Sequence, residues 1–196
     1  AVVVQPLHIF TGEEYEEVLS IVKNNPSVRS YVGTPLFAQW SDIYTVVDEL
    51  KRDFLKPEEG VNIVVAHGTP TVEAYSNVAL LGLDRLFTRH YSNVYLGAVD
   101  GVITRSDALG PAKLHPAKRA RFHSLMLVSG DHIMNDIMGE EKDSWKSELA
   151  VAGFAADSVT VSVDGESLYK GLGFFESTTD IFISKIRRSM EKAAKE

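Results

Sequence analysis

Three residues of this sequence could together hold a metal ion. Glu14, His67 and His132 follow apolar runs at residues 2–9, 61–66 and 122–128. Their side chains offer nitrogen and oxygen ligands only, a set that suits Co2+, Ni2+, Fe2+ and Zn2+ alike. The sequence therefore predicts one divalent-metal site, provided that the fold brings the three residues together.

Each of these residues also has a structural interpretation. Thr11-x-x-Glu14 matches a capping box, in which the Glu14 carboxylate would bond the Thr11 amide. His67 precedes Gly-Thr-Pro and His132 follows Gly-Asp, so either ring could be a turn residue that bonds nearby backbone. The two roles of Glu14 are compatible, because a capping carboxylate is held rigidly and still faces the edge of a sheet.

The apolar periodicity predicts strands that alternate with helices. Strands are predicted at residues 2–9, 30–36, 61–66, 94–99, 122–128 and 159–163. Helices are predicted to begin at Thr11, Ser41, Pro70, Asp143 and about Thr178, and Pro111 and Pro116 interrupt the pattern between residues 102 and 120. This order predicts an α/β fold, a parallel sheet flanked by helices on both sides. Ligands bind beyond the carboxyl ends of such strands, so the candidate residues should share one edge.

The composition excludes several classes of function. The 196 residues suffice for one domain or two compact ones. With 27 acidic against 20 basic residues, the net charge of −7 argues against nucleic-acid binding. No apolar run approaches the ~18 residues of a membrane span, and the absence of cysteine excludes thiolate chemistry. No glycine-rich motif follows a strand, so nucleotide binding has no support.

Three segments resemble signatures of the anaerobic cobalt chelatases, the sirohydrochlorin cobaltochelatases of cobalamin synthesis. They are VQPLHIFTGEEY with His8 and Glu14, VVAHGTP with His67, and LMLVSGDHIMND with His132, the last followed by GEEKDSWK. The resemblance implies a class II chelatase fold, two lobes of parallel sheet flanked by helices with a tetrapyrrole between them. It also implies insertion of Co2+, the substrate metal, into sirohydrochlorin without ATP or another nucleotide. Fe2+ and Ni2+ are further metals that such an enzyme could accept in vitro.

The resemblance also implies how the chain is divided. Residues 1–58 would be the remainder of an N-terminal lobe that is truncated relative to the family. Residues 59–196 would form the C-terminal lobe, with the C-terminal helix packing back on the first. The chain opens on an apolar run without Met, which also suggests missing upstream residues. We expect a cytoplasmic protein, with a periplasmic or secreted location left open for this reason; a homo-oligomer also stays open.

Residue roles follow from the same resemblance. His67 and His132 would be the metal-binding and proton-accepting pair, and Glu14 their carboxylate partner, so that all three are both catalytic and metal-ligating. Asp100 stands where the family usually has Glu, one methylene longer. His8, Arg89 and Asp100 are the predicted substrate-binding residues.

The substrate carries carboxylates, so we expect a protein of net negative charge to bind them through basic side chains near the site. Arg89, Arg105 and the basic residues between 113 and 121 are candidates. His8, His90, His115 and His123 are expected to be dispensable for metal insertion. Two other functions stay open: a haem- or tetrapyrrole-binding protein that uses one axial histidine, and a metal-binding α/β domain without a tetrapyrrole.

Overall fold

A computed structural model describes residues 1–72 and 74–195. Helices and strands alternate along most of this length. The α-helices are α1 (Glu13–Lys23), α2 (Trp40–Leu50), α3 (Tyr75–His90), α4 (Arg105–Lys113), α5 (Trp145–Val151) and α6 (Glu176–Lys195). The strands are β1 (Val2–Val4), β2 (Ser30–Val32), β3 (Val61–Ala66), β4 (Val94–Ala98), β5 (Arg119–Ser124), β6 (Ala155–Ser158), β7 (Thr160–Val163) and β8 (Glu166–Tyr169).

The main sheet has the strand order β4-β3-β5-β6, and every pair in it is parallel. All six residues of β3 are buried, as expected for a central strand covered on both faces. Val64 and Ala66 face one core cluster, which also includes residues of α2, α3 and α6. Val61, Ile63 and Val65 face the other, which includes residues of α4 and α5. Successive side chains of a strand point to opposite faces, so the apolar residues of β3 pack against the helices on both sides of the sheet.

The first part of the chain contributes α1, α2 and a second, two-stranded sheet of β1 and β2. β1 and β2 pair in parallel, and α6 packs against both of them and against α2. Glu49 of α2 accepts hydrogen bonds from the first amides of α6, those of Glu176 and Ser177. Lys185 of α6 is 6% exposed and pairs with Asp42 at 2.8 Å. The lobe boundary at residue 58 stays a prediction.

Several predicted element bounds were wrong. The first strand ends at Val4 rather than Ile9, because Pro6 has no amide hydrogen to donate to a neighbouring strand. α3 begins at Tyr75 rather than Pro70, and α5 begins at Trp145 after Ser144, whose side chain accepts a hydrogen bond from the amide of Ser147.

The region from 102 to 120 and the last strand also differ from the prediction. α4 contains Pro111 near its end, where the missing amide removes only one of the last backbone bonds. The strand predicted at 159–163 is one arm of an antiparallel hairpin, β7–β8. Within the described residues, no helix combines the length and the apolar character that a bilayer span requires.

Candidate active site

A cavity of about 620 Å3 lies beyond the carboxyl end of β3. Residues of three segments line it: 8–14, 67–70 with Ala74 and Ser76, and 125–132. Its apolar wall includes Ile9, Phe10, Ala74 and the stretch from Leu125 to Val128. Its polar groups include the predicted residues Glu14, His67 and His132, which the fold therefore brings to one cavity.

His67 is held by the tight turn that follows β3. Gly68 has φ of +78°, and a Cβ built on it would lie 1.7 Å from the carbonyl oxygen of Asp100, so this position needs glycine. The amide of Asp100 donates to the His67 carbonyl at 2.8 Å, which pins the turn to the end of β4. The Nδ1 atom of His67 lies 2.9 Å from the Gly68 carbonyl oxygen.

His132 lies at the start of a wide π-helical turn, Ile133–Ile137. Three consecutive pairs spaced four residues apart order this turn. Ile133 and Ile137 are fully buried in the core, which fixes the inner side. Asn135 donates its amide to Asp131 at 2.6 Å, and the Nδ1 atom of His132 lies 2.6 Å from Oδ2 of Asp136.

The two imidazole rings face one another. Their centroids are 4.7 Å apart and their planes meet at 78°. The carbonyl oxygen of Gly68 and the carboxylate of Asp136 accept hydrogen bonds, so each ring carries its proton on Nδ1. The Nε2 atom of each ring therefore keeps a lone pair for a metal ion or a proton. This pairing argues against a turn-residue role as the whole explanation of either histidine.

Acidic side chains come from the start of α1. The capping box predicted at Thr11 and Glu14 is absent: Gly12 is the N-cap, without a side-chain cap. The Gly12 carbonyl accepts the first helical hydrogen bonds, those from the amides of Tyr15 and Glu16. A capping box on this N-cap would need Glu or Gln three residues later, where the chain has Tyr15. Glu14 is thus free of the capping role and lines the cavity.

Glu13 lines the same cavity and was not predicted from the sequence. Its Oε1 accepts a hydrogen bond from the Thr71 hydroxyl at 2.7 Å, which ties α1 to the loop that follows His67. Among residues 1–72 and 74–195, no three His, Asp or Glu side chains gather closely enough to hold a metal ion. The histidine pair is therefore the preformed part of the site, and Glu13 and Glu14 line the same cavity.

The three predicted substrate-binding residues lie at different places. His8 lines the cavity half-buried, and its Nδ1 has no hydrogen-bond partner. Asp100 is exposed beside the backbone of His67 but does not line the cavity. Arg89 lies near the far end of α3, about 20 Å along the helix from the cavity-lining Ser76, at 1.5 Å per residue. The structure brings His8 to the cavity and does not bring Arg89.

The other predicted cations have structural partners elsewhere. Arg105 pairs with Glu148 at 2.6 Å and lies over the ring of Trp145. Arg119 and Arg121 belong to β5, and both bond Asp157 of β6. They lie at the amino end of β5, the opposite edge from His67. None of the described residues that line the cavity is lysine or arginine.

The fold defines the class, an α/β protein with a chelatase-like fold. The solved structure of SirB from Bacillus subtilis with Fe3+ is similar to this chain, with a TM-score of 0.61 at 14% sequence identity. The match covers 95% of this chain and 70% of that one. At this identity the likeness concerns the fold alone.

The sequence identifies the family. The family model described as Cobalt chelatase (CbiK) matches residues 1–191, so the chain belongs to the cobalt chelatase family. The sirohydrochlorin cobaltochelatase of Salmonella typhimurium strain LT2 is 25% identical over 199 residues, covering 100% of this chain and 70% of that protein. The sirohydrochlorin cobaltochelatase CbiKC of Nitratidesulfovibrio vulgaris strain Hildenborough is 28% identical over 192 residues, covering 94% and 64%. This chain thus spans about two thirds of the length of these relatives, and the predicted family and fold class are confirmed.

Proposed function

We propose that this protein inserts Co2+ into sirohydrochlorin without ATP, a step of cobalamin synthesis. The observation that carries the proposal is the facing pair of His67 and His132 in one cavity, with ring centroids 4.7 Å apart. Two relatives at 25% and 28% identity are named as sirohydrochlorin cobaltochelatases, which supports the choice of metal and tetrapyrrole.

The histidine pair would hold the substrate metal before transfer. Both rings carry their proton on Nδ1 and offer Nε2, and neutral imidazole is a good ligand for Co2+. Glu13 and Glu14, which line the same cavity, add negative charge, which favours a divalent cation and any imidazolium formed later.

The reaction needs a proton acceptor and no nucleophile. Two pyrrole N–H bonds break, nitrogen–cobalt bonds form, and two protons leave the macrocycle. As cobalt passes from the two imidazoles to the pyrrole nitrogens, the freed Nε2 atoms of His67 and His132 each accept one of these protons and later release it to water. The protein therefore contributes positioning and proton removal.

The apolar wall of the cavity would hold the flat macrocycle. Its volume of about 620 Å3 lies within the ~300–1,000 Å3 range of small-molecule sites. Ile9, Phe10, Leu127 and Val128 supply apolar surface for the macrocycle. Because none of the described residues that line the cavity is lysine or arginine, the substrate's carboxylates would remain in water.

The test is the absorbance change on mixing the protein with sirohydrochlorin and Co2+ in the absence of ATP. We expect catalytic turnover, and a far lower rate for His67→Ala. His90→Ala is the matched control, because His90 is exposed at the far end of α3. Tight haem binding without turnover would instead establish the tetrapyrrole-binding alternative, and parallel reactions with Fe2+ and Ni2+ would rank the metals.

A further inference from the structure

The two histidines of the site are held by unlike acceptors. Nδ1 of His67 bonds a neutral backbone carbonyl, that of Gly68, at 2.9 Å. Nδ1 of His132 bonds a carboxylate oxygen of Asp136 at 2.6 Å. We infer that Asp136 is a positioning residue that fixes the tautomer of His132 and makes it the firmer of the two metal ligands. The inference rests on the proposed function only for the identity of the metal.

The geometry of the π-helical turn makes this contact specific. His132 and Asp136 are four residues apart, on the same side of the turn. The buried Ile133 and Ile137 take the adjacent positions and fix the rotation of the turn against the core. A Cβ on Gly139 would lie 2.2 Å from the Asn135 carbonyl oxygen, so the backbone closes tightly at its end. The Asp136 carboxylate is thus held against the ring by the packing of its own turn.

The charge on Asp136 distinguishes the two ligands. A carboxylate bonded to the remote nitrogen of a metal-binding imidazole fixes the ring's orientation and strengthens the lone pair on the other nitrogen. A backbone carbonyl orients the ring in the same way but carries no net charge. His132 should therefore hold Co2+ more tightly than His67, which leaves His67 as the ligand that releases the metal first.

Asp136 acts through His132 rather than as a ligand itself. It does not line the cavity, and one of its oxygens is engaged with the ring. Its side chain is 47% exposed, so this hydrogen bond contributes little to the stability of the fold. Loss of Asp136 is therefore expected to weaken metal binding without unfolding the protein.

The test compares Asp136→Ala, Asp136→Asn and the control Asn135→Ala. The control removes the neighbouring hydrogen bond of the same turn, the one to Asp131, and leaves both histidines untouched. The readouts are Co2+ affinity from its visible absorption and the tautomer of His132 from 15N NMR of the metal-free protein. Neither readout requires catalytic activity.

We expect Asp136→Ala to weaken Co2+ binding about 10- to 100-fold, the usual effect of losing such a partner. Its His132 ring should shift from the Nδ1–H toward the Nε2–H form. The cobalt affinity of Asp136→Asn should lie between those of the wild type and Asp136→Ala, because the Asn amide oxygen can still accept a hydrogen bond from Nδ1. The affinity of Asn135→Ala should match that of the wild type. An Asp136→Ala protein with wild-type cobalt affinity and an unchanged tautomer would overturn the inference. A wild-type protein that binds Co2+ as described but never metallates sirohydrochlorin would refute the proposed function alone.

Discussion

We predict that the buried imidazole of His123 makes the folded protein lose stability in mild acid. Its side chain lies in β5, 2% exposed, with its ring edge against Phe54 at a centroid distance of 4.8 Å. Its Nε2 donates to the Asn62 amide oxygen at 3.0 Å, and that oxygen also accepts the Leu55 amide. Nδ1 has no partner, so the folded site offers nothing to a second proton.

Burial lowers the pKa of His123 from its ordinary value of 6.5 to about 3. The positive charges of Arg121 and Lys170 contribute to this lowering of the pKa, and the negative charge of Asp157 opposes it. Between these two values the unfolded chain binds a proton here that the folded protein does not. Stability therefore falls as the pH falls through this range, by up to about 1.4 kcal/mol for each pH unit.

The loss between pH 7 and pH 5 should be about 2 kcal/mol for this one group. Urea unfolding of the wild type and of His123→Phe at several pH values measures it. Phenylalanine keeps the contact with Phe54 but removes one donor from Asn62, which should cost about 1 kcal/mol at pH 7. The pH dependence should shrink by about 2 kcal/mol in the variant. An equal pH dependence of stability in both proteins would refute the reasoning. The nearby Asp157 does not titrate between pH 7 and pH 5. Burial alone would raise the pKa of Asp157, but hydrogen bonds from Arg121 and Arg119 lower it below 3.8.

Two further predictions concern the cavity. Glu14→Gln should slow cobalt insertion without changing Tm, because Glu14 lines the cavity and α1 has no side-chain cap; an unchanged initial rate would remove Glu14 from the site. Gly68→Ala should lower stability by about 2 kcal/mol or more, since alanine is strained at this positive φ and its Cβ would meet the Asp100 carbonyl. Thermal unfolding and cobalt titration would check this second variant, and wild-type values in both would show that the turn is not pinned as described.

The position of His67 could be predicted because it depends on a local pattern. An uninterrupted apolar run marks β3 as a central parallel strand, and the residue after such a strand lies at the ligand-binding edge. The position of His132 is harder to predict from the sequence, because β5 ends at Ser124 and an irregular stretch lies between that strand and His132. The sequence nevertheless shows a four-residue spacing that could have revealed Asp136 as the partner of His132. The same spacing separates Asp131 from Asn135 and Ile133 from Ile137.

Other features show where local patterns end. Asp164-Gly165, both with positive φ, forms a two-residue hairpin turn between β7 and β8, and an Asp-Gly pair is a typical sequence signal for such a turn. Asp157 engages Arg121 from a strand 36 residues later in the chain, so nothing near the basic residues indicated that they were already paired. Glu13 was missed because the N-cap of the helix is Gly12 rather than Thr11, which changes which carboxylate reaches Thr71.

The central claim is that His67 and His132 act as one unit on the metal and its displaced protons. Initial rates of Co2+ insertion for His67→Ala, His132→Ala and the double variant test it most directly, with thermal unfolding to show that each variant is folded. Each single change should remove most of the turnover, by roughly 100-fold or more. The double change should cost little beyond the worse single one, because residues that act together are strongly non-additive. Losses that instead multiply would contradict the paired mechanism and favour a protein that binds a tetrapyrrole through one histidine.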